Sequence, residues 1–115
     1  MESLTSPRRG TLAITLAERR PIIEDHVLAG LAALAADGDA HATEKLFDTL
    51  LPRVRNLARY LVRNDQEVDD LAQDALVALY RGLSSYRGEG SFRAWADRVT
   101  ARRIFRSLKE RRSHA

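Results

Sequence analysis

Apolar residues recur at helical spacing from Pro21 onward, at Ile22, Ile23, Val27, Leu28, Leu31, Leu34 and Ala35, until Asp37-Gly38 interrupts them. This predicts a first helix with Pro21 in its opening turn. A second, longer pattern follows, in which Leu46, Phe47, Leu50, Leu51, Val54, Leu57, Ala58, Leu61 and Val62 keep one stripe, with Asp39 or Thr43 as the cap. Pro52 falls inside it and has no amide to donate. A kink or short break at 49–52 is therefore expected. Asn64-Asp65 ends this helix and caps the next.

The third pattern, from Gln66 to Arg81, is the most regular. Val68, Leu71, Ala72, Ala75, Leu76, Leu79 and Leu83 fit one arc of about 140°, and Gly82 is placed to end the helix in the left-handed conformation. Asp70, Gln73, Asp74, Val77 and Arg81 share the opposite face. Two readings stand. The face is either solvated, with acids near the positive helix N-terminus, or it docks a protein, with Val77 as a small apolar centre in a polar surround. After the loop 84–90, Ser91 is placed to cap a fourth helix. Phe92, Trp95, Ala96 and Val99 form its first apolar arc, whereas Ala101, Ile104, Phe105 and Leu108 project to roughly the other side. The buried face is expected to change midway, through a bend or through different neighbours for the two halves.

Composition agrees with helices. Of 115 residues, 44% are hydrophobic, with three Pro and six Gly, which suits an all-α, compact bundle of about four helices and no strands. Residues 1–20 read as a flexible N-terminal arm, 21–112 as the helical domain and 113–115 as the start of a tail. Cysteine is absent, so no thiol chemistry or disulfide framework is available. His26, His41 and His114 are too scattered for a metal site. No metal or cofactor is expected. No segment has the length of a membrane span or the order of a signal peptide, which implies a cytoplasmic protein without membrane insertion. Nor is there a nucleophile–base set or a carboxylate pair of the kind an enzyme would need.

Charge adds what hydropathy does not show. The 27 residues from Tyr86 to Arg112 hold nine Lys/Arg against three acids, +6, whereas the other 88 carry −3 of the total +3. Projected as a helix, Arg98, Arg102, Arg106 and Lys109 lie within an arc of about 80° that also contains Trp95. A cationic stripe with an aromatic set into it is the footprint of a nucleic-acid-binding helix. Arg93, Arg98, Arg102, Arg103, Arg106 and Lys109 are the phosphate-contact candidates, with an effect that should weaken with salt. Phe92 and Trp95 also lie on the apolar arc, so core and base-stacking roles both stand open. Gly88 and Gly90 suit a tight bend.

Taken in order, LFDTLLPRVRNLARYLV, DQEVDDLAQDALVALYRGLSSYRGEGSFRAW and the basic helix resemble region 2 of bacterial sigma factors, closely the extracytoplasmic-function (ECF) group of the sigma-70 family. The resemblance covers about residues 25 to 112. It implies a domain that binds core RNA polymerase and recognises the promoter −10 element. By position, Asp70, Gln73 and Asp74 match residues that face the clamp helices of the β′ subunit, and Val77 would supply the desolvated centre. Tyr86, Glu89, Ser91 and Phe92 match the loop that captures a base flipped from the non-template strand, where stacking of roughly 1–3 kcal/mol per base offsets unstacking. An anti-sigma factor is a further partner so implied. Two positions depart from the family pattern: Arg102 stands where Asn is common and Arg106 where Asp is. The second, −35-binding domain of the family lies outside this sequence. Alternative readings are a sigma-like interaction module sequestered by an anti-sigma factor or regulator, and a small helical DNA-binding protein outside initiation.

Overall fold

The structure, a computed structural model, describes residues 24–113; the expected arm at 1–20 and the start of the first predicted helix at Pro21 to Ile23 lie outside them. Four helices follow one another: α1 (Asp25–Ala36), α2 (Ala40–Leu61), α3 (Asp65–Gly82) and α4 (Phe92–Ser113), with a 3-10 turn, Leu83–Ser85, after α3. Among the described residues there is no strand. The all-α bundle of about four helices is what was expected. α3 and α4 pack most extensively on each other, α2 lies against α1 and α3, and α1 also meets α4 and the 3-10 turn.

The caps explain the helix starts. The amide of Ala42 donates to Asp39 Oδ1 at 2.9 Å, and Asn64 Oδ1 accepts from Gln66 and Glu67 at 2.7 and 3.1 Å. These bonds satisfy amides that the first turn leaves without partners. α2 runs through Pro52 without the expected break. One missing donor costs a single hydrogen bond, and the stripe of Leu46, Leu50, Val54 and Ala58, buried on both sides of the proline, anchors both halves in the core, so the helix continues.

The core joins Leu28, Ala32 and Ala35 of α1 to that stripe, to Val68, Leu71, Ala75 and Leu79 of α3, and to Phe92, Ala96 and Ile104 of α4. Val27 and Leu34, expected on the buried side of α1, are exposed. α1 packs through a narrower seam spaced three and four residues apart, and its alanines let it lie close.

α4 also departs from expectation. Its buried positions are Phe92, Ala96, Thr100, Ile104 and Ser107, which form one continuous face and not two. Thr100 and Ser107 are polar residues inside that face, so a hydropathy pattern loses it at the middle. Phe105, expected in the core, is 56% exposed.

Gly82 does not adopt the left-handed conformation; its φ is −95°, and the chain passes directly into the 3-10 turn. Packing limits this position to a small residue without requiring glycine. A Cβ at Gly82 would stand 3.5 Å from Cζ2 of Trp95. The glycines with positive φ are instead Gly38 after α1, at 97°, and Gly88 and Gly90, at 81° and 76°, where the loop makes the tight bend foreseen for it. α4 extends through Ser113.

Candidate nucleic-acid and polymerase interfaces

The start of α4 is capped twice. Ser91 Oγ accepts the Ala94 amide at 3.2 Å, as its position suggested. From the first turn of α1, Asp25 accepts the amides of Phe92 and Arg93, each at 2.9 Å, and the Ser91 hydroxyl at 3.1 Å. Partial burial opposes ionisation of Asp25. The Arg93 and Phe92 amides, the Ser91 hydroxyl and the Arg93 guanidinium outweigh it and hold the carboxyl below its ordinary value. Arg93 comes within 4.0 Å of that carboxylate. A phosphate-contact candidate is thus engaged at the base of the loop.

Above this cap three aromatic rings form one cluster. Tyr86 meets Phe92 edge-on at 5.2 Å between centroids, and Trp95 lies 5.7 Å from Tyr86 and 5.4 Å from Phe92. The Tyr86 hydroxyl donates to the Gly90 carbonyl at 2.6 Å. Phe92 is fully buried. Its ring is therefore core, and it supports the loop from below without facing a base. Trp95 is half-buried between the cluster and Gly82, and Tyr86 is half-buried with its hydroxyl spanning the loop. Glu89 and Ser91 are exposed.

The basic helix separates into two groups of cations. Glu110 lies 3.8 Å from Arg103 and 3.6 Å from Arg106, and Arg111 lies 3.8 Å from Glu67 of α3. Arg103 and Arg106 line a groove between α3 and α4 together with Arg81, Asp74, Val77 and Ala78. Arg98, Arg102 and Lys109 are exposed, and no acid among the described residues pairs with them. Arg106, the fourth member of the expected stripe, is exposed as well but is paired with Glu110 beside the α3–α4 groove.

The acidic face of α3 is likewise divided. Asp74 is half-buried, and its Oδ2 accepts the Ser107 hydroxyl at 2.9 Å, which ties α3 to α4. Asp70 is exposed and accepts from Gln66 Nε2 at 3.3 Å. Gln73 and Val77 face an open groove between α2 and α3, about 500 Å³ in volume, whose walls include Phe47, Leu51, Leu76 and Tyr80. Val77 is 42% exposed, Tyr80 56% and Leu51 37%, and an Arg55–Asp69 ion pair contributes polar lining. Val77 thus borders both grooves. Periodicity singled out Val77 but not the groove. The groove forms only when two helices lie side by side, and exposed Leu51 and Tyr80 read as core or as isolated residues along the chain.

The model of the sigma-70 region 2 family matches residues 46–114, more than half of the chain. The chain belongs to that family. Within it, the ECF RNA polymerase sigma factor SigM of Mycobacterium tuberculosis is 29% identical over 86 residues, 75% of this chain and 44% of that protein. The ECF RNA polymerase sigma-E factor of Haemophilus influenzae is 36% identical over 61 residues, 49% of this chain and 31% of the relative. The RNA polymerase sigma-H factor of Pseudomonas aeruginosa is 32% identical over 62 residues, 54% and 32% of the two chains. This region 2 chain spans less than half the length of these relatives. No solved structure matches it significantly. The family match begins at Leu46, so α1 with the Asp25 cap precedes the matched segment. Among the described residues, no helix is long and apolar enough to cross a membrane, and no cluster of His, Cys, Asp or Glu is suited to a metal ion.

Proposed function

We propose that this domain serves transcription initiation by binding core RNA polymerase through α2 and α3 and the −10 non-template strand through the loop 86–91 and α4. The observation that carries the reading is the division of one small bundle into two unlike surfaces. An open apolar groove beside Asp70 and Gln73 offers a partner helix a place to desolvate, with acids to set its register. On α4, Arg98, Arg102 and Lys109 offer charge that no acid among the described residues pairs with, next to a loop held in shape from both sides. The resemblance supports assigning the first surface to the β′ clamp helices and the second to promoter DNA.

On this reading the chemistry is non-covalent. A base leaving the duplex costs a few kcal/mol, and one aromatic contact returns roughly 1–3 kcal/mol. Phosphate contacts from the free cations supply the remainder. Arg102 favours guanine where a duplex edge is read, since a guanidinium donates in pairs to N7 and O6. The domain has no catalytic role of its own and works in the cytoplasm with polymerase.

The deciding experiment measures two affinities of the chain, one for core polymerase and one for a single-stranded −10 non-template oligonucleotide. Gln73→Ala with Val77→Asp should abolish only the first; Arg98→Ala with Arg102→Ala should weaken only the second. Polymerase binding that survives Val77→Asp would remove the groove from the interface. The same groove would accept an amphipathic helix of an anti-sigma factor. A sequestering partner would then compete with polymerase for Val77 and leave free DNA binding intact.

A further inference from the structure

We infer that Phe105 contacts a nucleobase, as a stacking residue set among the free cations of α4. The inference rests on the DNA-binding reading above and adds to it a residue that neither the resemblance nor the charge pattern singles out. Phe105 is 56% exposed on an ordered helix. At 100° per residue Arg98, Arg102, Phe105 and Lys109 lie within an arc of about 60°, and Arg98 to Lys109 spans about 16 Å along the axis. An exposed aromatic ring therefore sits between guanidinium groups below it and an ammonium above it. The aromatic first expected in this stripe, Trp95, is occupied by Tyr86 and Phe92. The role of a free ring on this face falls to Phe105.

The surroundings of the ring favour nucleic acid over a protein helix. A docked amphipathic helix needs a ridge of apolar anchors spaced three and four residues apart, such as the α2–α3 groove provides. Around Phe105 there is no such ridge. Leu108 is partly buried against the core, and the exposed neighbours on the arc are cations. One aromatic face bordered by positive charge suits a single base whose flanking phosphates meet Arg98, Arg102 and Lys109.

The test compares Phe105→Ala, Phe105→Leu and Phe105→Trp for binding to a labelled −10 oligonucleotide, as single strand and as duplex, with Arg98→Ala/Arg102→Ala as the charge control. Stacking predicts that Phe105→Ala weakens single-strand binding about five- to hundredfold, the equivalent of roughly 1–3 kcal/mol. Phe105→Leu should fall nearly as far, and Phe105→Trp should bind as the parent. A single abasic nucleotide should reproduce the loss and add nothing in the Phe105→Ala background. A loss confined to the duplex would retain the base contact and place it in a groove, on a thymine methyl. If Phe105→Ala stays within twofold on both forms while the arginine control loses affinity, the inference falls and the DNA reading stands. If the arginine control also binds as the parent, both fall. If Phe105→Leu restores full affinity, or if only polymerase binding responds, the ring has no stacking role. Unchanged thermal midpoints for the three variants show that the comparison concerns folded protein.

Discussion

Asp25 and Phe92 stand 67 residues apart in sequence, and the carboxylate of the first accepts the amide of the second at 2.9 Å. The same carboxylate takes the Arg93 amide and the Ser91 hydroxyl, so the first turn of α1 fixes both the end of the loop and the start of α4. A cap of this kind contributes about 1–2 kcal/mol. Asp25→Ala should lower the unfolding free energy by about that amount, and Asp25→Asn by less, since an amide oxygen still accepts. Because its pKa is lowered on folding, the stabilisation is complete above the ordinary carboxylate value and is lost as pH falls through the folded-state value. Denaturant titrations of parent and Asp25→Asn at pH 7 and in acid should therefore converge as the pH drops. A difference that stays constant with pH would mean that the charge of Asp25 is irrelevant.

Gly82→Ala tests why glycine ends α3. Were the position left-handed, alanine would be strained; at φ −95° it is not. The added methyl would meet Trp95 at 3.5 Å, an ordinary van der Waals contact. Gly82→Ala should thus be neutral or stabilising by about 0.5–1 kcal/mol. Gly82→Leu should displace the indole. The chain has one tryptophan, so its fluorescence reads both outcomes directly.

Charge reversal at Asp74 would confound a test of docking with a change in packing. Its bond to buried Ser107 means that Asp74→Lys disturbs the packing of α3 on α4 as well as any docking surface. Asp74→Ala and Ser107→Ala should each cost about 1 kcal/mol, and the double variant clearly less than the sum. Additive losses in chemical denaturation would show that the two side chains act independently. Asp70 and Val77, being exposed, are the cleaner probes of polymerase docking.

Local signals made much of this molecule legible from the sequence. Asp39, Ser91 and Asn64 announce their caps within three residues, and the α3 stripe is a run of like residues at one period. What stayed hidden depends on contacts across the fold. No periodicity links Asp25 to Phe92. Thr100 and Ser107 are buried because Ile104 and Ala96 on the same face are buried, yet their hydroxyls made the face look as though it ended. That misplacement put Phe105 in the core. Pro52 does not break α2, since one lost hydrogen bond is small beside the packing on either side of it. The α3 acids were legible as one face, but the groove beside them belongs equally to Phe47 and Leu51 of α2.

The division of the α4 cations makes a final prediction about salt. Each phosphate neutralised on a single strand contributes about −0.7 to the slope of log affinity against log salt. Arg98, Arg102 and Lys109 can do this without breaking an internal pair, whereas Arg103 and Arg106 first have to leave Glu110. Exposed pairs at such distances are worth at most about 1 kcal/mol, so the penalty is modest. Arg102→Ala should therefore reduce both affinity and slope more than Arg106→Ala. Glu110→Gln should strengthen binding by up to about fivefold at low salt and steepen the slope, because it releases both arginines towards the strand. The measurement is oligonucleotide affinity for the parent and the three variants across a range of salt concentrations. Equal effects of Arg102→Ala and Arg106→Ala, with no gain from Glu110→Gln, would mean that the ion pairs do not decide which cations reach the DNA.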